Sequence, residues 1–193
     1  MNEAETRAEL IDPAIAARSR GLAERDVALV DELRSDHDEN QWVEFKRNFE
    51  DEGMIGKLCS ALANGARAEG REVAYVIWGV EDGTKEVVGT SFNPDTKKVG
   101  AQAFQMRLAQ LLNPSPAFSF RTVNHPEGRI VLLEIPAATV APVEHEGTAY
   151  VRIGSATQNF PTIRIDTRSS FTICGPMSGR RALPKHMSIQ MRF

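Results

Sequence analysis

Apolar residues recur along the chain with periods that change abruptly, and each change marks an element. Over 22–35, Ala23, Val27, Val30 and Leu33 fall on one stripe at helical spacing. This predicts a surface helix packed on a core, with a partner-binding helix as the competing reading. Residues 42–46 (WVEFK) alternate instead, Val43 and Phe45 facing one way and Trp42, Glu44 and Lys46 the other, as in a strand. Helical spacing returns over 52–65, where Ile55, Leu58, Cys59, Leu62 and Ala63 share a stripe. Asn64-Gly65 then supplies residues that tolerate the left-handed angles of a helix end. Residues 73–80 (VAYVIWGV) form a continuous apolar run, the mark of a strand covered on both faces. EDGTKE reads as a turn into a returning strand over 86–90. A further helix over 99–112 turns Phe104, Leu108, Leu111 and Leu112 inward. It stops at Asn113-Pro114, because a residue before proline is driven out of the helical region. Strands follow at 117–123, 129–135 and 149–153, with 146–148 as a turn. The order α-β-α-β-β-α-β-β-β predicts one α/β domain, a mixed sheet covered by helices.

After Phe160-Pro161 neither period survives, and the charge changes sign. Residues 162–193 carry six Lys/Arg and one acid, a net charge of +5, which leaves 17 basic and 25 acidic residues over 1–161, a net charge of −8. A flexible basic tail is one explanation; a shifted reading frame is the one the residues favour. Joining the last base of each codon to the first two of the next lets degenerate codons for GPMSGRRALPKHMSIQMRF spell RPYVWEAGIAKAHVDPDAV, which has ordinary helix-forming character. On that reading Cys174, His186 and Arg180-Arg181 carry no functional weight. Sequencing the coding DNA around codon 161 checks it, and an unbroken frame with the same tail rejects it.

Composition narrows the class. The chain has 193 residues, 41% hydrophobic and 25% charged, the balance of a globular domain and not of a coiled coil or a disordered chain. No apolar run reaches the roughly 18 residues a membrane span needs, and MNEAETRAELID lacks a signal layout, so a cytoplasmic protein without a membrane partner is expected. Cys59 and Cys174 supply neither a disulfide scaffold nor a cysteine zinc site, and Cys59 sits in an apolar stripe as a small core residue. A body this acidic does not draw nucleic acid by its overall field, so contact with RNA or DNA needs a local patch or a metal ion.

Candidate chemistry gathers around Glu39-Asn-Gln-Trp-Val-Glu44-Phe-Lys46. Alternation sets Glu44 beside Lys46, Glu39 lies just upstream, and a second acidic pair, Glu81-Asp82, follows the buried strand. Carboxylates at the ends of adjacent strands can converge on Mg²⁺ or Mn²⁺, hard cations that take oxygen ligands. Such an ion activates water and neutralises charge on a phosphodiester. Glu-x-Lys is common on its own, and the competing reading is a solvated ion pair worth about 0–1 kcal/mol. Arg152 shares a strand face with Tyr150, a combination that can hold a phosphate and stack on a base; the alternative is an arginine paired with a local acid. Trp42 and Trp78 read as core. His37, His125 and His145 show no zinc spacing, no GxxxxGK[ST] loop supports ATP, and Ser60 and Ser155 lack triad partners.

Several segments in order resemble the Schlafen-type AlbA-like domain family, often labelled DNA-binding, in its bacterial branch. They are Glu39-x4-Glu44-Phe45-Lys46, then Leu58-Cys59-Ser60-Ala61-Leu62-Ala63-Asn64. Val76-Ile77-Trp78-Gly79-Val80-Glu81-Asp82-Gly83 and Val88-Gly89 follow, and Ala149-Tyr150-Val151-Arg152-Ile153-Gly154-Ser155 comes last. The resemblance implies an AlbA-like α/β fold over 37–161, preceded by a lead-in and helix over 1–36 and followed by the non-matching tail over 162–193. In the nuclease members, three carboxylates support metal-dependent cleavage of transfer or ribosomal RNA. The resemblance places these at Glu39, Glu44 and Glu81, with Asp82 as a substitute because the family usually has Asp where Glu81 stands. It implies a phosphate contact for Lys46, a nucleic-acid role for Tyr150 and Arg152, and pairing of two copies. The expected function is nucleic-acid binding, with metal-dependent endoribonuclease activity on structured RNA as its most concrete form. The alternative is a non-catalytic DNA-binding or regulatory module attached to an ATP-binding or winged-helix protein.

Overall fold

The apolar run at the centre of the chain becomes the second strand of a four-stranded mixed sheet. In the computed structural model the backbone is described for residues 12–35, 41–153, 156–160, 163–166, 170–173 and 190–192, and side chains over 18–35, 41–152 and 157–158. Helix α1 (Asp12–Ser35) precedes β1 (Val43–Lys46). Helix α2 (Glu52–Ala68) crosses over to β2 (Val73–Trp78), which lies parallel to β1, because parallel neighbours need such a crossover. The long pair β6 (Ser119–His125) and β7 (Gly128–Pro136) completes the sheet in the order β1-β2-β7-β6, with β7 antiparallel to both its neighbours.

Alternation along β2 divides the core in two. Ala74, Val76 and Trp78 join α2 residues such as Ile55, Cys59 and Leu62 in the larger cluster. Ile77 joins Val43, Phe45 and the α1 residues Val30 and Leu33 on the opposite face. The expectation of a strand covered on both faces therefore holds. Cys59 is fully buried and its thiol is pushed up to about 12 by burial, the chemistry of a core residue and not of a nucleophile. No described helix is long and apolar enough to cross a membrane.

A second sheet covers the far side of α2. Its strands are β5 (Leu112–Asn113), β8 (Glu144–His145), β9 (Thr148–Ile153) and β10 (Ala156–Phe160), in the order β10-β9-β8-β5. The β8–β9 turn is a two-residue loop, Glu146-Gly147, with φ of 51° and 75°, the left-handed pair a tight hairpin requires. Packed between two sheets, α2 does not end at Asn64-Gly65 as its residue types suggest, and runs to Ala68. Gly65 is needed there for space, since a Cβ would overlap the backbone oxygen of Gln41. Asn64 is buried and bonds outward instead of capping: its Nδ2 donates to Val143 O and Tyr150 O, each at 2.9 Å, and its Oδ1 accepts from Val143 N at 2.8 Å. Ser60 Oγ donates to the same Val143 O and accepts from Tyr150 N at 3.0 Å. Asn64→Ala leaves the buried Val143 N–H without its acceptor, so it should cost about 1–3 kcal/mol. A shift of the urea midpoint at unchanged slope measures this.

Other elements depart from their expected bounds. The expected strand over 86–90 is reduced to one bridge, Val80 to Val87, because Gly79 at φ +96° and Gly89 at φ +73° turn the chain out of the sheet. The third helix, α3, begins at Phe104, since 98–103 form the small hairpin β3 (Lys98–Val99) and β4 (Gln102–Ala103). It ends at Leu111, because Leu112-Asn113 pairs with β8. After Phe160, where no period predicts structure, β11 (Ile163–Asp166), β12 (Ser170–Ile173) and β13 (Gln190–Arg192) form a three-stranded antiparallel sheet. A backbone ladder of three or four residues is too short to leave a period in the sequence. Cys174, His186 and Arg180-Arg181 lie outside the described residues.

Candidate nucleic-acid interface

Strand register decides which candidate side chains meet. Lys46 pairs across with Trp78, so β1 and β2 end at the same level and run out in the same direction. The Gly79 N–H bonds Lys46 O at 2.8 Å and Arg47 O at 3.2 Å, tying the two strand ends into one corner. Gly79 also passes close to β7, where a Cβ would stand 2.8 Å from Arg129 O. The chain then enters the turn that carries Glu81 and Asp82.

Alternation sets Glu44 and Lys46 on the same side, as expected, and their side chains form an ion pair. That side is not solvent. Strand β9 covers it, and Glu44 is only 5% exposed. Arg152, 1% exposed, reaches from β9 to bond Glu44 Oε2, while Lys46 holds Oε1. Arg152 NH1 also lies 3.4 Å from Val43 O. The three side chains therefore clamp the edge strand of the first sheet to the second. Tyr150, two residues before Arg152, is half-buried, with Lys57 Nζ 6.0 Å from its ring centre. Glu81 pairs with Arg47 at 3.5 Å, and Asp82 with Lys85 at 3.3 Å. Glu39 lies outside the described residues.

The donor chemistry of this corner bears on a divalent cation. Glu44, Glu81 and Asp82 offer the hard oxygens that Mg²⁺ or Mn²⁺ takes. Each is engaged by a basic side chain, and Glu44 by two. Among the described residues no group of three His, Cys, Asp or Glu side chains is placed to hold a metal ion. As arranged, Glu44 is buried under two cations and Glu81 and Asp82 each hold one, so a metal ion here would have to displace them.

The sequence of residues 39–161 matches the family described as Schlafen, AlbA_2. The chain belongs to this family. Glu44, Lys46, Arg47, Glu81, Asp82, Tyr150 and Arg152 all fall inside the matching span, and α1 lies before it. No curated protein matches the chain. Among solved structures, the DIP2311 protein from Corynebacterium diphtheriae is similar at 17% identity and a TM-score of 0.45, covering 72% of this chain and 27% of its own. This Schlafen, AlbA_2 chain thus spans about a quarter of that protein. The N-terminal domain of a RecG-related protein from Nitrosomonas europaea is similar at 24% identity and a TM-score of 0.42, covering 74% of this chain and 95% of its own.

Two features of this Schlafen, AlbA_2 domain escape motif reading. Arg47 is one, although Lys46-Arg47 at a strand end is visible as a basic pair. His145 is the other. Its ring is 1% exposed and packs on Gly56, where a Cβ would overlap it, and its Nε2 has no hydrogen-bond partner among the described residues. Burial lowers its pKa below the ordinary 6.5, outweighing Glu146, which acts upward; Lys57 adds to the lowering and Glu52 opposes it. The unfolded chain therefore binds the proton at a higher pH than the folded one. Stability contributed by the neutral ring is present above about pH 6.5 and is lost as pH falls through the folded pKa. Urea midpoints between pH 7.5 and about 5 should fall less in His145→Gln than in the parent after each is referenced to its own value at neutral pH. Parallel curves would count against the assignment.

Proposed function

We propose that the domain binds nucleic acid at the corner where β1 and β2 end. Membership of the Schlafen, AlbA_2 family supports the ligand class. The observation that carries the location is the consecutive pair Lys46 and Arg47, the latter with 70% of its side chain exposed, on a body that is otherwise acidic. A local cationic corner is what such a body needs to meet a polyanion.

The finer reading is metal-dependent cleavage of structured RNA by Glu39, Glu44 and Glu81 with Mg²⁺ or Mn²⁺. The resemblance and the parallel adjacency of β1 and β2 support it. It requires Glu44 and Glu81 to give up their present cations. The alternative, a non-catalytic nucleic-acid-binding module, is favoured by the full engagement of the Glu44 carboxylate.

The test is incubation of the purified chain with mixed transfer and ribosomal RNA, with Mn²⁺ or with EDTA. Binding should survive EDTA and weaken about tenfold between 50 and 200 mM salt, as two phosphate contacts require. Cleavage that EDTA abolishes would establish the finer reading. Salt-independent binding, or none, rejects the nucleic-acid reading.

A further inference from the structure

Arg47 has 70% of its side chain in solvent, and its guanidinium NH1 lies 3.5 Å from Glu81 Oε2. Glu81, with 37% of its side chain exposed, stands in a turn whose backbone is closed by Glu81 N to Glu86 O and Lys85 N to Glu81 O, each 2.9 Å. That turn is anchored from outside. Arg34 Nε donates to Lys85 O at 2.9 Å, and Lys85 Nζ lies 4.3 Å from the Phe45 ring centre. The backbone beneath Glu81 is therefore held while its carboxylate remains at the surface.

We propose that Arg47 is a phosphate-binding residue and that the Glu81 carboxylate is its resident substitute for phosphate, displaced when a nucleic-acid phosphodiester binds. The proposal rests on the nucleic-acid reading above. A carboxylate and a phosphodiester both offer a guanidinium a pair of oxygens sharing one negative charge, so one can take the other's place. The exchange is open to this pair because surface ion pairs are weak and both partners can rehydrate. It is closed to Glu44, which is buried under Arg152. Glu81 and the phosphate then compete for one cation, and the sign of its effect follows. Removing the Glu81 charge strengthens nucleic-acid binding, whereas removing a metal ligand would weaken it.

Fluorescence anisotropy of a labelled single-stranded RNA oligonucleotide in EDTA tests this on the full chain. Glu81→Gln should bind about two- to fourfold more tightly than the parent at low salt. Its log K against log salt should steepen by up to about 0.7, the share of one single-strand phosphate contact. Arg47→Gln should weaken binding and flatten the slope. The gain from Glu81→Gln should vanish in the Arg47→Gln background, which separates exchange at Arg47 from a general loss of acidity. Thermal melting of each variant alongside the parent checks that the fold is intact; Arg47→Gln tests the same pair from its other side. Equal or weaker binding by Glu81→Gln, or a gain that persists without Arg47, overturns the proposal while parent binding leaves the nucleic-acid reading standing. Binding that needs Mn²⁺ and is lost in Glu81→Gln makes Glu81 a cation ligand and also overturns it. No binding by parent or variant at any salt removes both.

Discussion

Arg152→Met should destabilise the domain by about 3–5 kcal/mol, roughly a fifth or more of the stability of an ordinary domain. Methionine keeps much of the length of the side chain and removes its charge and donors. Glu44 then stays in an interior only 5% exposed, with Lys46 on one oxygen and nothing in place of the guanidinium on the other. The loss comes from the carboxylate oxygen left without a partner in the interior, not from the Coulomb energy of the pair, because both ions were desolvated to form it. It follows that Glu44→Leu combined with Arg152→Met should be more stable than Arg152→Met alone. Urea denaturation of the parent, both single variants and the double variant completes the cycle. A loss below about 1 kcal/mol in Arg152→Met would mean that Glu44 rehydrates easily and that the clamp between β1 and β9 is not structural. The cycle also bears on function. Glu44→Gln, the obvious probe for a metal ligand, removes half of a buried pair, so loss of activity in it would be confounded by unfolding. Glu81, with 37% of its side chain exposed, is the cleaner probe.

What the sequence made legible was local. The strand period of 42–46, the helical stripe from Ile55 to Ala63 and the apolar run of β2 each show in their own residues, and each forms close to its expected place. Alternation correctly sets Glu44 and Lys46 opposite Val43 and Phe45. It cannot say what covers that side, because the covering residue, Arg152, is 108 positions away. The same limit hides the second sheet. β5 and β8 are two residues each, too short for any period, yet they close over α2. With that layer unseen, Asn64 reads as a helix end, although its amide is the centre of a buried network joining α2 to Val143 and Tyr150. Apart from Arg47, the residues of the candidate site were found in sequence, but their ion-pair partners come from tertiary contacts, except for the pairs Glu44–Lys46 and Asp82–Lys85.

Trp78→Ala should cost about 3–5 kcal/mol, comparable with the loss of Arg152 but for a different reason. Trp78 is fully buried at the end of β2, its ring 4.9 Å from that of Phe92 and 6.1 Å from that of Phe120. Truncation opens a cavity at the junction of the sheet with α2, and the aromatic neighbours cannot collapse into it without losing their own contacts. The indole has a second task. Its Nε1 donates to Phe49 O at 2.7 Å, and Phe49 lies two residues past Arg47. Together with the Gly79 N–H on Lys46 O and Arg47 O, this bond sets the path of the chain that presents the basic corner. Trp78→Phe separates the two tasks, since phenylalanine retains an aromatic ring and has no donor. It should lose only about 1–2 kcal/mol, in part from the missing hydrogen bond and in part from the smaller ring. Amide hydrogen exchange should quicken around Phe49–Asp51 while the protection of β2 and β7 is kept. If the whole sheet exchanges faster in step with the lost stability, the indole is holding the core and not the corner. If only the segment after Arg47 does, the shape of the binding corner is set from beneath by one buried side chain.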